Sequence, residues 1–123
     1  MKQYNINELT DYLLEKDICR TFEAYELASI YVETQHEVTE KNFEDFLAWV
    51  QERDDNAQKV YADTSAEFAE SIWLETADEY RREILEELSP FINWELVWNS
   101  GLRHDWHHWT NPDTGESFFI SQF

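Results

Sequence analysis

The chain has 123 residues, 42% hydrophobic and 16% aromatic, and carries 27 acids against 9 bases for a formal net charge of −18. That is length for one domain, residues 1–123, with a real core and no second independent one; six Trp, six Tyr and eight Phe exclude a disordered acidic tail. The charge exceeds what solubility requires; such a field repels DNA, RNA and anionic membranes and attracts basic protein surfaces.

Two Gly and two Pro argue for long helices joined by short connections. The lone Cys19 excludes an intramolecular disulfide and a cysteine zinc site and suits a reducing interior. Read by itself it is a small apolar filler on a helix face. The opening MKQYNINELT has no apolar signal-peptide core, and no stretch approaches about 18 apolar residues. A cytoplasmic location is therefore expected.

In chain order, Asn5 to Lys16 reads as a helix, with Asn5 and Glu8 offering a cap and Leu9, Tyr12 and Leu13 on one stripe. A break follows at 17–20. Thr21 is expected to cap a second, largely apolar helix to Thr34, carrying Phe22, Tyr25, Leu27, Ala28, Ile30 and Tyr31. After a connector at 36–38, Thr39 or Asn42 starts a third helix with Phe43, Phe46, Leu47 and Val50, then Ala57, Val60 and Tyr61. Asp54, Asp55 and Asn56 sit in its middle, where short polar side chains compete for backbone hydrogen bonds and interrupt a helix.

The fourth expected helix, Thr64 to Leu88, organises the rest. Phe68, Ile72, Trp73, Ala77, Tyr80, Ile84 and Leu88 recur at three- and four-residue steps and predict a core stripe. Thr64 with Glu67 has capping-box spacing, and Pro90 ends the run. Glu67, Glu70, Glu75, Asp78, Glu79, Glu83, Glu86 and Glu87 fill most of the remaining surface against Arg81 and Arg82 alone.

Past Pro90 the composition changes. Residues 91–98 (FINWELVW) and 116–123 (ESFFISQF) are aromatic and β-branched, and NPDTG at 111–115 is a turn signal. The expected fold is α+β: four mainly antiparallel α-helices in an acidic part, 1–88, then a small antiparallel β-sheet or hairpin in an aromatic-rich part, 89–123. Acids outnumber bases nine to two over 61–88 and fourteen to six over 1–60, but only four to one over 89–123. The field comes from the helical part.

An unbroken helix from 64 to 88 would be roughly 36 Å long at 1.5 Å per residue. Its eight carboxylates would fall about 4.5 Å apart, near the roughly 3.4 Å phosphate spacing of one DNA strand. Glu75–Glu79, Glu79–Glu83 and Glu83–Glu87 are like-charged i,i+4 pairs, each costing about 0.2–0.5 kcal/mol in an isolated helix. A sequence that tolerates such repulsion is read as keeping it for a cationic partner. Glu44, Asp45, Glu52, Asp54 and Asp55 continue the sign on the preceding helix, with Glu33, Glu37 and Glu40 nearby. A solvated face and adaptation to high salt are the competing explanations of the same composition.

Two other constellations lie in the aromatic-rich part. His104, His107 and His108, with Asp105, admit a metal site on one face of a strand or at i,i+4 on a helix, although the spacing matches no metalloenzyme signature. The interleaved Trp106 and Trp109 read instead as an aromatic loop or strand edge, or as contacts for a partner protein. No catalytic residues are expected. No acid pair is singled out, the serines lie in no nucleophile elbow, and two glycines build no phosphate loop. No cofactor is implied.

In size, charge, scarcity of glycine and carboxylates arrayed from Glu67 to Glu87, the chain resembles the small acidic inhibitors that phages and plasmids use against restriction enzymes and CRISPR complexes. Many of these are DNA mimics. The resemblance is one of character and rests on no shared motif. It implies a partner that is a basic nucleic-acid-binding protein or complex, with the acidic face filling its DNA or RNA channel and no direct contact with nucleic acid or membrane. The alternatives are an adaptor, antitoxin or immunity-type protein covering a basic partner, and a small metal-binding protein using the histidines. An exposed Trp/Tyr patch would also allow a homodimer.

Overall fold

A computed structural model describes residues 2–122. The fold class is α+β, helices with two small antiparallel sheets, and the chain divides into two compact units, Met1–Ala57 and Gln58–Phe123. The division lies at 57/58, not at 88/89 where the composition shifts. Thirteen acids and four bases fall in the second unit and fourteen and five in the first, so each carries −9.

The first unit holds β1 (Gln3–Tyr4), α1 (Ile6–Glu15), α2 (Ala24–Thr34), β2 (Val38–Thr39) and α3 (Phe43–Asn56), with β1 and β2 antiparallel. Helix α1 starts in a reciprocal Asn5/Glu8 capping box. It ends where Asp17 takes φ 52° and Ile18 N–H donates to the Leu13 carbonyl at 3.1 Å. That is a Schellman turn with a non-glycine residue in the left-handed position, and it explains the break at 17–20. Leu9, Leu13, Leu27, Ala28, Ile30, Phe46 and Val50 are buried. Thr21 does not cap α2. The helix begins after Glu23, whose N–H is held by the Glu26 carboxylate at 3.0 Å, because the Thr21 backbone is engaged elsewhere, as described below. Helix α3 stops at Asn56 rather than being interrupted there.

The second unit holds β3 (Lys59–Tyr61), α4 (Ser65–Thr76), α5 (Glu79–Leu88), a 3-10 turn (Ser89–Phe91), α6 (Trp94–Val97), a π-turn (Trp98–Leu102), a last helical turn (Arg103–Asp105), β4 (Trp106–Thr110) and β5 (Ser117–Ser121). The sheet order is β3-β5-β4, all antiparallel, with His108 opposite Phe119 and Val60 also opposite Phe119. Phe68 from α4 stacks on Phe119 at 4.1 Å, and Trp106 and Trp98 meet the Phe68 ring edge-on at 5.0 and 5.8 Å. These rings are the core of the unit.

Two expectations fail here. The single helix from 64 to 88 is two: Ala77 is extended (φ −77°, ψ 145°), and Asp78 caps α5 by accepting the Arg81 N–H at 2.8 Å. Arg82 Nε then donates to the Leu74 carbonyl at 3.0 Å, satisfying an end of α4 that a continuous helix would have paired internally. The second failure is 91–98, which is helical rather than extended. Pro90 opens the 3-10 turn and the Asn93 side chain accepts the Leu96 N–H at 3.1 Å, so capping chemistry overrides the β-branched composition. Its place in the sheet is taken by the histidine segment, 106–110, and by β3. The turn at 111–115 and the strand within 116–123 are as read, with Gly115 at φ 76° supplying the left-handed residue; Phe123 lies outside the described residues.

Candidate functional site

The acids expected to face a partner have different fates. Asp54 is 4% exposed. Its Oδ2 accepts the Arg20 N–H at 2.9 Å, and its Oδ1 accepts those of Thr21 and Phe22 at 2.9 and 2.8 Å. It is therefore withdrawn from any partner surface: its charge is spent on the loop that leads into α2, which would otherwise carry unpaired backbone donors. Glu44, Asp45, Glu52 and Asp55 remain exposed on α3, the first two in its opening turn, where a helix dipole favours them.

In the second unit, Glu67 reaches back to the Asp63 N–H at 3.3 Å while Thr64 caps the Glu67 N–H at 3.2 Å; the expected capping box is thus closed one residue early. Glu70 accepts the Ser89 hydroxyl. Asp78, the cap of α5, lies 3.7 Å from Arg81. Glu75, Glu79, Glu83, Glu86 and Glu87 are exposed and carry no ion pair among the described residues. The eight-carboxylate ladder is therefore shortened to an unneutralised ridge on α5, with Glu75 at the end of α4. Helix α5 is roughly 15 Å long at 1.5 Å per residue, and its four ridge carboxylates match the roughly four phosphates that one DNA strand places over that length at about 3.4 Å each.

The apolar stripe fares differently from the expectation. Phe68 and its neighbour Ala69 are fully buried and Ile72 partly so, but Trp73 is 45% and Tyr80 74% exposed, and Ile84 and Leu88 are exposed too. No residue of α5 is buried. The bend at Ala77 turns the second half of the stripe away from the Phe68 core. In consequence Ile72, Trp73, Thr76, Ala77, Arg81, Ile84, Leu85 and Leu102 line an open cavity of about 500 Å³. A second, also of about 500 Å³, is lined by Trp73, Leu96, Val97 and Leu102 with Ser100, Gly101 and Asp105. Trp73 and Leu102 belong to both, so the two make one groove walled by α4, α5 and the 94–102 helical segment. Trp94 supports it from below, its ring edge-on to Trp73 at 6.3 Å.

Trp106 and Trp109, expected as contact aromatics, are 5% and 4% exposed. Trp106 packs on Phe68, and Trp109 lies over Phe118 at 5.3 Å on the other face of the sheet. Among the described residues the exposed Phe, Tyr and Trp side chains are Tyr61, Trp73, Tyr80 and Phe91, none of them expected as a contact. The signal that would have found the groove is Asp78 itself, a cap residue two positions after Thr76, which argues for a break and hence for an unburied second half.

The three histidines are not brought together. His107 and His108 are consecutive in β4 and point to opposite faces, and His104 is exposed in the preceding turn. His108 stacks on Phe119 at 4.2 Å, and its buried Nε2 has no hydrogen-bond partner among the described residues. Burial, with a smaller contribution from His107, holds its pKa below the ordinary histidine value. Among the described residues no group of three His, Cys, Asp or Glu side chains is placed to hold a metal ion. Cys19 is half-buried, and burial with the nearby Asp54 charge pushes its thiol up to about 11, which leaves it protonated at neutral pH. No helix among the described residues is long and apolar enough to cross a membrane.

The chain matches no protein-family model, no curated protein and no solved structure.

Proposed function

We propose that this protein is an inhibitor that occludes the nucleic-acid-binding surface of a basic defence protein, a restriction enzyme or CRISPR effector complex, by offering carboxylates where that surface grips phosphates. The observation that carries this reading is the α5 ridge of Glu79, Glu83, Glu86 and Glu87, exposed and without ion pairs among the described residues. A solvated face needs no such concentration. Here it sits in a chain of −18, and the like-charge cost along α5 has no return within the fold. Association driven by this field is fast and salt-sensitive. It is a binding role, and no reaction is proposed.

The test is capture of proteins from lysate on the immobilised chain at low salt, followed by challenge with excess duplex DNA. The retained partners should be nucleic-acid-binding proteins, and DNA should displace them. Retention that resists DNA refutes mimicry and favours a second reading, an adaptor or immunity-type protein that covers a basic partner without imitating its ligand. The exposed groove around Trp73 favours that second reading, because an apolar anchor has no counterpart in a phosphate backbone.

A further inference from the structure

We propose that the groove between α4, α5 and the 94–102 segment is a docking site for a cationic amphipathic helix of a partner protein, one whose apolar stripe is flanked by Lys and Arg. The proposal rests on the reading above only for the partner's positive charge. Its own basis is the shape and chemistry of the groove.

Ile72, Trp73, Ile84, Leu85, Leu96 and Leu102 give the groove apolar walls, and several of them stay open to solvent. An exposed apolar groove with polar and charged residues at its rim is the kind of surface that interaction sites present. Two open cavities of about 500 Å³ that share Trp73 and Leu102 leave room for several apolar side chains along one stripe of a helix. This is the helix-in-groove mode of recognition, in which anchors at i, i+3 or i+4, and i+7 enter apolar pockets.

Charge selects the occupant. Between residues 72 and 105, eight acids stand against three bases. Of those bases, Arg81 is 3.7 Å from Asp78, and Arg82 is turned back to the Leu74 carbonyl. Asp105 lines the groove itself, as does Arg81 with Asp78 beside it, and Glu87 lies one turn from Ile84 on α5. A second copy of the chain would bring another −18 to the same place, and an anionic lipid surface is repelled by the same field. A neutral apolar helix would fill the walls and leave the acids unanswered. A helix with an apolar stripe and basic flanks answers both.

The probe is a synthetic peptide of about 18 residues with leucines at helical stripe spacing and lysines elsewhere, titrated calorimetrically into the full chain. Three comparison peptides are used: one with glutamate for every lysine, one of the same composition with the leucines scattered, and polylysine. The variants are Trp73→Ala and Ile84→Asp. Neither residue is buried, and circular dichroism checks that each variant keeps its fold.

The striped lysine peptide should bind and gain helicity. It should lose about tenfold or more in affinity with either variant, and should bind at least tenfold better than the scattered peptide or polylysine. The glutamate peptide should not bind. The proposal is overturned if scattered and striped peptides bind alike, if the glutamate peptide binds as well, or if both variants bind as the parent does. It is also overturned if sedimentation shows a dimer that Ile84→Asp dissociates, since a second copy then fills the groove. DNA-displaceable capture combined with a negative peptide result removes the groove alone; peptide binding combined with DNA-resistant capture removes mimicry alone.

Discussion

Replacing Asp54 with alanine should unfold the first unit far more easily while changing the acidic surface hardly at all. The carboxylate accepts three backbone N–H groups, and removing it strands the Phe22 donor, which is buried. A stranded buried donor costs about 1–3 kcal/mol. Arg20 and Thr21 are exposed, so water replaces part of what their bonds contribute, and each loses only a fraction of the roughly 1.5–3 kcal/mol carried by a bond to a charged acceptor. The expected loss is about 3 kcal/mol, a large share of the roughly 5–15 kcal/mol that holds an ordinary domain. Urea unfolding followed by circular dichroism should show a midpoint lower by about 1–3 M, given slopes of about 1–3 kcal/mol per molar. Asp54→Asn keeps one acceptor oxygen and should lose about half as much. Folded Asp54→Asn should capture basic partners as the parent does. A stability within about 0.5 kcal/mol of the parent, the range of ordinary surface substitutions, or lost capture by the folded asparagine variant, would refute the structural role assigned to this carboxylate.

Other consequences can be checked in the same preparations. Because burial depresses the His108 pKa, folding favours its neutral form. The stability it contributes is full above about 6.5, the unfolded value, and is lost as pH falls from there through the folded value; His108→Phe should flatten that part of the pH–stability profile. Cys19 should react slowly with a disulfide reagent at pH 7–8 and accelerate only as pH nears 11, and Asp54→Asn should move that onset down because the Asp54 charge is one of its causes. Asp17→Gly should raise stability by about 0.5–1 kcal/mol in a thermal melt by relieving the left-handed conformation at φ 52°. Amides of α5, which buries no side chain, should exchange with solvent much faster than those of α4 or β5; equal protection would contradict the open groove.

What the sequence revealed follows the reach of each signal. Local chemistry was legible: the Asn5/Glu8 box, the Thr64 cap and the glycine turn before β5 all depend on residues a few positions apart. Long-range chemistry was not. Asp54 looked like one more surface acid because its three donors lie more than thirty residues upstream, and nothing nearby announces them. Val60 and Tyr61 read as the end of a helix because their strand partners, Phe119 and Phe118, come at the far end of the chain. The periodicity from Phe68 to Leu88 was real, but period alone cannot report a bend, and the bend decides which apolar residues are covered. Trp106 and Trp109 looked like contact residues for a related reason: the run Trp-His-His-Trp sends one indole to each face of its strand, and only the sheet shows that both indoles are buried.

The arrangement β3-β5-β4 puts the latest-made of the three strands in the middle. During synthesis, Lys59–Tyr61 emerges and waits some sixty residues for the segment that will hydrogen-bond to it, and β4 waits beside it. Every internal partner of the first unit has been translated by residue 57. A nascent chain stalled before Ser117 would hold two orphaned edges and a bare Phe68, a species for chaperones and proteases to deal with. Changes that disrupt Ser117–Ser121 therefore threaten assembly more than equal changes in the exposed turn at 111–115.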